Sequence, residues 1–149
     1  MTTYSENKKA YYDYEILEKF EAGLVLIGQE LKSIKTNRIN LAGSYVVFRD
    51  LEPYLIGAKI PAWQPKNAPA DYNPERIRKL LLNKREINYL IGKSNERGFS
   101  LIPLKIYNKN GRLKLELGLV KGKKKYDKKE KIKRKDIERD TKRELSTRE

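Results

Sequence analysis

The chain has 149 residues and not one cysteine or histidine. Those two absences exclude disulfides, thiolate or imidazole zinc sites, a cysteine nucleophile and any triad built on histidine. Acid–base chemistry near pH 7 would fall to a strongly perturbed carboxylate, lysine or tyrosine. The expectation is a non-enzymatic protein with no metal and no cofactor. Long apolar runs are missing as well: none approaches the roughly 18 residues needed to cross a bilayer. Met1–Lys9 is polar rather than a secretory leader, which points to a cytoplasmic protein without a membrane partner.

What the chain has is positive charge. It carries 34 Lys/Arg against 20 Asp/Glu, a net of +14. A basic balance of that size makes a polyanion the default partner. Residues 120–149 hold half of the surplus, with 14 Lys/Arg, 7 Asp/Glu and only five apolar side chains. A segment so poor in apolar surface does not repay its ordering entropy alone. Acids four residues before bases (Asp127/Lys131, Glu130/Arg134, Glu138/Lys142, Glu144/Arg148) prepare it to become a helix. The reading is two units: residues 1–121 as a folded domain, and 122–149 as a basic tail, disordered when free.

Residues 14–27 read as one long bent strand or a tight pair, with a bulge or bend at Gly23. Gly28–Thr36 has helical spacing. Ser44–Arg49 and Tyr54–Ile60 alternate around Pro53 and form a hairpin, and Pro61–Asn73, with three of the six prolines, is a loop. Asn73-Pro74 predicts a helix start, with an apolar stripe from Ile77 to Ile91 and a second start at Asn83, capped by Glu86. Phe99–Tyr107 and Arg112–Val120 flank Asn110-Gly111, the strongest short hairpin signal in the chain. Antiparallel strands with interspersed helices predict a mainly β fold with α elements: a small closed antiparallel barrel of the OB type, flanked by helices.

Four groups of residues are candidates for function. Arg76, Arg78, Lys79, Lys84 and Arg85 would line the polar face of the predicted helix, as a solvated surface or as a set of phosphate contacts. Glu30, in Gly28-Gln29-Glu30-Leu31-Lys32-Ser33, reads as an ordinary surface acid or as an acceptor for a guanine edge or ribose hydroxyl. Tyr45, Tyr54 and Tyr107 fall on strands, where rings are core or stack on unpaired bases. Trp63 in the proline loop reads as a cap over the barrel in preference to an exposed platform. A carboxylate–metal nuclease built on Asp13, Glu15, Glu18 or Glu21 is a competing reading, as is a general ribosomal or RNA-chaperone protein.

Several stretches taken together resemble one family. They are Asn7-Lys8-Lys9-Ala10, Glu21-Ala22-Gly23-Leu24-Val25-Leu26, Gly28-Gln29-Glu30-Leu31-Lys32-Ser33, Arg78-Lys79-Leu80-Leu81-Leu82, Lys84-Arg85-Glu86-Ile87, Gly118-Leu119-Val120-Lys121-Gly122-Lys123-Lys124 and Tyr126-Asp127-Lys128-Lys129. Their order and spacing are similar to those of the SsrA-binding proteins, also called small protein B. The resemblance implies an OB-like barrel that binds the tRNA-like part of transfer-messenger RNA (tmRNA, or SsrA RNA). Elongation factor Tu and alanyl-tRNA synthetase are implied as co-partners through the charged RNA. It further implies a monomer that enters stalled ribosomes for trans-translation, with the tail in the small-subunit decoding centre and the empty mRNA channel. Carried onto this sequence, the RNA contacts would be Glu30, Lys32, Ser33, Arg76, Arg78, Lys79, Lys84 and Arg85. The ribosome contacts would be Lys123, Lys124, Tyr126, Asp127, Lys128, Lys129, Lys131, Lys133, Arg134 and Lys135. The chain departs from the family pattern in three places. Tyr72-Asn73 and Asn83 stand where histidines are usual. Lys129 stands for an arginine and lacks its planar fork. Asp50-Leu51-Glu52 replaces Asp-Gly-Glu, so the glycine-dependent turn is expected to be reshaped.

Overall fold

The computed structural model describes residues 2–122. The tail positions named above, Lys123 to Lys135, lie outside the described residues. The elements are β1 (Thr2–Glu6), α1 (Lys8–Asp13), β2 (Tyr14–Leu24), α2 (Gly28–Lys35), β3 (Tyr45–Arg49), β4 (Glu52–Ile56), a 3-10 turn (Pro65–Asn67), β5 (Arg78–Leu81), α3 (Lys84–Ser94), β6 (Phe99–Lys109) and β7 (Arg112–Gly122). The seven strands form one sheet in the order β1-β6-β7-β2-β5-β4-β3, and every pairing is antiparallel. Its inner face gathers Leu55, Leu80, Leu101, Ile106, Leu115, Leu117 and Leu119 into the main core, joined by Ile34 of α2 and Leu90 of α3.

The two best-marked segments fold as their patterns dictate. In β7 the alternate residues Leu115, Leu117 and Leu119 are buried. Asn110 and Gly111 take φ of 53° and 79°, the left-handed pair that a two-residue hairpin requires. Helix α3 starts on a reciprocal capping box: the Asn83 side chain accepts from the Glu86 N–H at 2.8 Å and Glu86 accepts from the Asn83 N–H at 3.4 Å.

Three expectations are corrected. First, no helix begins at Asn73-Pro74. The Asn73 carboxamide accepts from the Glu75 N–H at 2.9 Å and its carbonyl from the Arg76 N–H at 3.0 Å, which makes a turn. Residues 78–81 then pair with β2 and β4 as a strand. Period-two burial wins over helical spacing here, because Arg78 and Leu80 point inward while Lys79 and Leu81 point out. Second, the bulge in β2 falls between Ile16 and Glu18, not at Gly23. Gly23 instead marks where β2 leaves β7 for β5. It faces both Lys114 and Leu81, and a Cβ on it would lie 3.3 Å from that of Leu81. Third, the ladder does not close into a barrel. β3 and β6 approach within 8 Å between Cα atoms, yet no pairing joins them among the described residues. β1 takes the free edge of β6 only over Lys105–Asn108, and Pro103 has no N–H to offer another strand. The seam opens into a cavity of about 890 Å³ lined by Ser44, Tyr45, Phe48, Phe99 and Ser100, among others.

Candidate nucleic-acid interface

Glu30 sits in the first turn of α2, where its Oε1 accepts from the Ile27 N–H at 3.1 Å. The rest of its carboxylate meets two guanidinium groups. Arg76 donates from Nε to Oε2 (3.1 Å) and from Nη2 to Oε1 (2.6 Å), and Arg78 donates from Nε and Nη2 to Oε2 (2.9 and 2.8 Å). Arg78 is itself buried, and its remaining donors reach the carbonyls of Ala58 (2.8 Å) and Pro74 (2.9 Å). The Tyr72 hydroxyl donates to the Ile60 carbonyl at 2.6 Å and lies 3.3 Å from Glu30 Oε2. One cluster thus ties α2 to β5, to the end of β4 and to both ends of the proline loop. Ser33 adds a fifth tie, its Oγ donating to the Pro61 carbonyl at 2.6 Å.

The electrostatics follow from this packing. Burial alone would raise the Glu30 carboxyl, but hydrogen bonds from Arg76, the Ile27 N–H and Arg78, with the charge of Arg78, outweigh it and leave the group below its ordinary value. The same bond from Glu30 raises Arg76. Burial and the neighbouring Glu30 charge push the Tyr72 phenol up. In this cluster carboxylate and guanidinium are both held charged.

The expected RNA residues therefore divide. Glu30, Ser33 and Arg78, read from sequence as contacts, are interior: Glu30 and Arg78 have no exposed surface and Ser33 is spent on Pro61. Here they support the surface above them and do not form it. Lys32, Lys84 and Arg85 are exposed, and Arg76 keeps about a third of its side chain in solvent. Lys79 pairs with Glu52 on the outer face at 2.7 Å. Lys84 and Arg85 open α3 and do not share a helix with Arg76, Arg78 and Lys79, so the single basic helix face is replaced by a rim running from α2 through β5 to α3. Trp63 is half-buried and belongs to neither apolar cluster; the Lys32 ammonium lies 4.7 Å from its ring centre. The carboxylates of the nuclease reading do not converge. Glu18 is bound by the Tyr89 hydroxyl and Glu21 by Tyr107 and Lys109, and no metal-binding group of three acids is found among the described residues.

Sequence reasoning missed an apolar component beside the basic rim: Val25, Ile27, Leu31, Ile77 and Leu81 are each more than a third exposed. The signal was present in two alternating runs, Val25-Leu26-Ile27 and Ile77-Arg78-Lys79-Leu80-Leu81, once the second is read as a strand.

The family model described as SmpB protein matches residues 4–147. The chain is 53% identical over 138 residues to the SsrA-binding protein of Syntrophobacter fumaroxidans, covering 91% of this chain and 83% of that one. It is 48% identical over 145 residues to the SsrA-binding protein of Geobacillus kaustophilus, covering 97% and 93%. A chain of the solved structure described as "tmRNA-SmpB: a journey to the center of the bacterial ribosome" superposes with a TM-score of 0.69 at 42% identity, over 94% of both chains. With a family match across nearly its whole length and relatives near half identity, the chain belongs to the SmpB family of SsrA-binding proteins.

Proposed function

We propose that this protein binds the tRNA-like part of tmRNA and carries it to stalled ribosomes for trans-translation, acting in the bacterial cytoplasm as a monomeric adaptor without catalytic chemistry. Elongation factor Tu and alanyl-tRNA synthetase join through the charged RNA. Residues 1–121 grip the RNA, and residues 122–149 enter the decoding centre and the vacant mRNA channel through Lys123, Lys124, Tyr126, Asp127, Lys128, Lys129, Lys131, Lys133, Arg134 and Lys135. An OB-like fold belongs to this reading. The observation that carries the RNA half is the buried Glu30–Arg78 pair. It fixes α2 against β5 and holds the partly exposed Arg76 guanidinium in place, while Lys32 on α2 and Lys84 and Arg85 at the start of α3 are exposed. Cations held at fixed spacing read the shape of a phosphate backbone, which is how structured RNA is recognised.

The test is competition. Labelled tmRNA bound to the full chain is challenged with a large excess of bulk tRNA. Retention of the label supports selective binding. Displacement at ratios set by mass action alone would leave a general RNA-chaperone protein in its place.

A further inference from the structure

The outer face of the sheet is covered at one end and bare at the other. Over β6 and β7, α1 seats Ala10 against Ile102, Leu104 and Val120, with Tyr14 and Ile16 beside them. α3 packs chiefly against β6 and β7, with Leu90 buried in the main core, and meets β3 across the seam cavity that Tyr45 and Val47 also line. Register decides which side chains fill that bare face. Val46, Leu55, Arg78 and Leu80 are buried inward, so their neighbours along each strand point outward. These are Tyr45 and Val47 on β3, Tyr54 and Ile56 on β4, and Lys79 and Leu81 on β5. Tyr45 stands opposite Ile56, Val47 opposite Tyr54, and Tyr54 opposite Lys79, which makes two continuous rows across the strands. Val25 extends the surface, its N–H donating to the Lys79 carbonyl at 3.0 Å. Tyr45 is 45% exposed and Leu81 54%.

An exposed apolar face edged by charge points to a docking site, and its rim identifies the occupant. Arg49, Lys59, Lys84 and Arg85 are exposed at the strand ends and outnumber the exposed acid Asp50 in the β3–β4 turn, while Glu52 is paired with Lys79. A phenol ring and aliphatic side chains inside a cationic border suit a strand of nucleic acid whose bases lie flat on the sheet and whose phosphates meet the border. A protein partner would gain nothing from the border unless it were acidic.

We propose that the outer face of β3–β4–β5 receives unpaired nucleobases of the bound RNA, with Tyr45 as a stacking platform at one corner and Leu81 as an apolar seat at the opposite corner. This rests on the RNA-binding reading above and adds a second mode of contact to it. Phosphate contacts release counterions and fade with salt; a stacked base does not. The two modes therefore separate in one experiment. The dissociation constant of the full chain for the tRNA-like part of tmRNA is measured across a salt series for Tyr45→Ala, Tyr45→Phe, Leu81→Ala and the double variant Lys84→Ala/Arg85→Ala.

Tyr45→Ala is expected to weaken binding by about 5- to 100-fold at every salt concentration, with the slope of log Kd against log salt unchanged. Tyr45→Phe keeps the ring and restores binding, and Leu81→Ala loses affinity in the same slope-preserving way. The double lysine–arginine variant instead lowers the slope. Wild-type binding by Tyr45→Ala and Leu81→Ala, with the double variant still impaired, overturns the stacking face and leaves the RNA reading intact. Normal RNA binding by Tyr45→Ala with loss of sedimentation with ribosomes assigns the face to a ribosomal protein and also overturns it. If no variant changes affinity or slope, the stacking face is overturned; if the wild-type chain shows no saturable binding, the RNA reading itself fails. Tyr45 and Leu81 are both exposed, so thermal melts of these variants should match the wild type.

Discussion

Glu30 keeps a negative charge with no exposed surface of its own, so its stability depends on Arg76, Arg78 and the Ile27 N–H, with the Tyr72 hydroxyl beside them. Removing one member of a buried ion pair strands the other, at a cost of about 3–5 kcal/mol. Glu30→Gln should therefore destabilise the protein by that order in urea unfolding at pH 7, although Gln fits the space. The lowered carboxyl also fixes the pH dependence. A group whose folded value lies below its unfolded value contributes its full stability above the latter, here about 4.5, and loses it as pH falls through the folded value. The stability gap between wild type and Glu30→Gln should thus be flat from pH 7 down to about 4.5 and shrink below it. A gap that stayed constant into the acid range would mean the carboxylate is not what the cluster holds.

Two hairpins in this sheet turn on two residues each with left-handed backbone, and they differ in what occupies the second position. Between β6 and β7 it is Gly111 (φ 79°); between β3 and β4 it is Leu51 (φ 66°), following Asp50 (φ 51°). The turn at Asp50-Leu51 is not reshaped by the loss of glycine, contrary to expectation, because the ladder from Tyr45–Ile56 to Arg49–Glu52 continues to its last pair. Leu51 bears the strain. A left-handed conformation costs a side-chain-bearing residue about 1–2 kcal/mol, and glycine returns about 0.4–1 kcal/mol of that through the freer unfolded chain. Leu51→Gly should stabilise the fold by a few tenths to about 1 kcal/mol in thermal unfolding, whereas Gly111→Leu should destabilise it. The same two hairpins show what a sequence reveals. Asn110-Gly111 between leucine-alternating runs announced its turn, and Asn83 with Glu86 announced α3, because both signals are local. β5 was hidden: four residues with an arginine among them read as helix until the sheet and the distant Glu30 supply the reason to point Arg78 inward. The interior of the candidate site was hidden for the same cause, since a charged side chain reads as surface unless its partner 48 residues away is known. β1 and α1 went unread because their polar residues carry no period, and the buried Asn7 that joins them to the Pro103 carbonyl at 2.9 Å is a tertiary contact.

At the scale of the whole molecule, charge and core are partitioned differently. Among the described residues, 2–122, there are two apolar clusters, and the last described strand, β7, runs to Gly122 paired with β2 and β6. Residues 123–149 carry 13 Lys/Arg and 7 Asp/Glu, so truncation after Gly122 removes +6 and leaves +8 on the body. The retained body keeps Glu30, Arg76, Arg78 and the rim they set. It should therefore unfold with an unchanged midpoint and bind the tRNA-like RNA with nearly the affinity of the full chain. If charge alone bound the RNA, losing nearly half of the surplus would weaken binding and flatten its salt slope in proportion. If positioned contacts bind it, both hold. Tagging of peptides on stalled ribosomes should nevertheless be abolished, because the lysine-rich segment proposed to enter the channel is gone. The pair of measurements separates the two halves of the proposed function: a truncated protein that still tags removes the role given to the tail, and one that folds but no longer holds RNA removes the role given to the body.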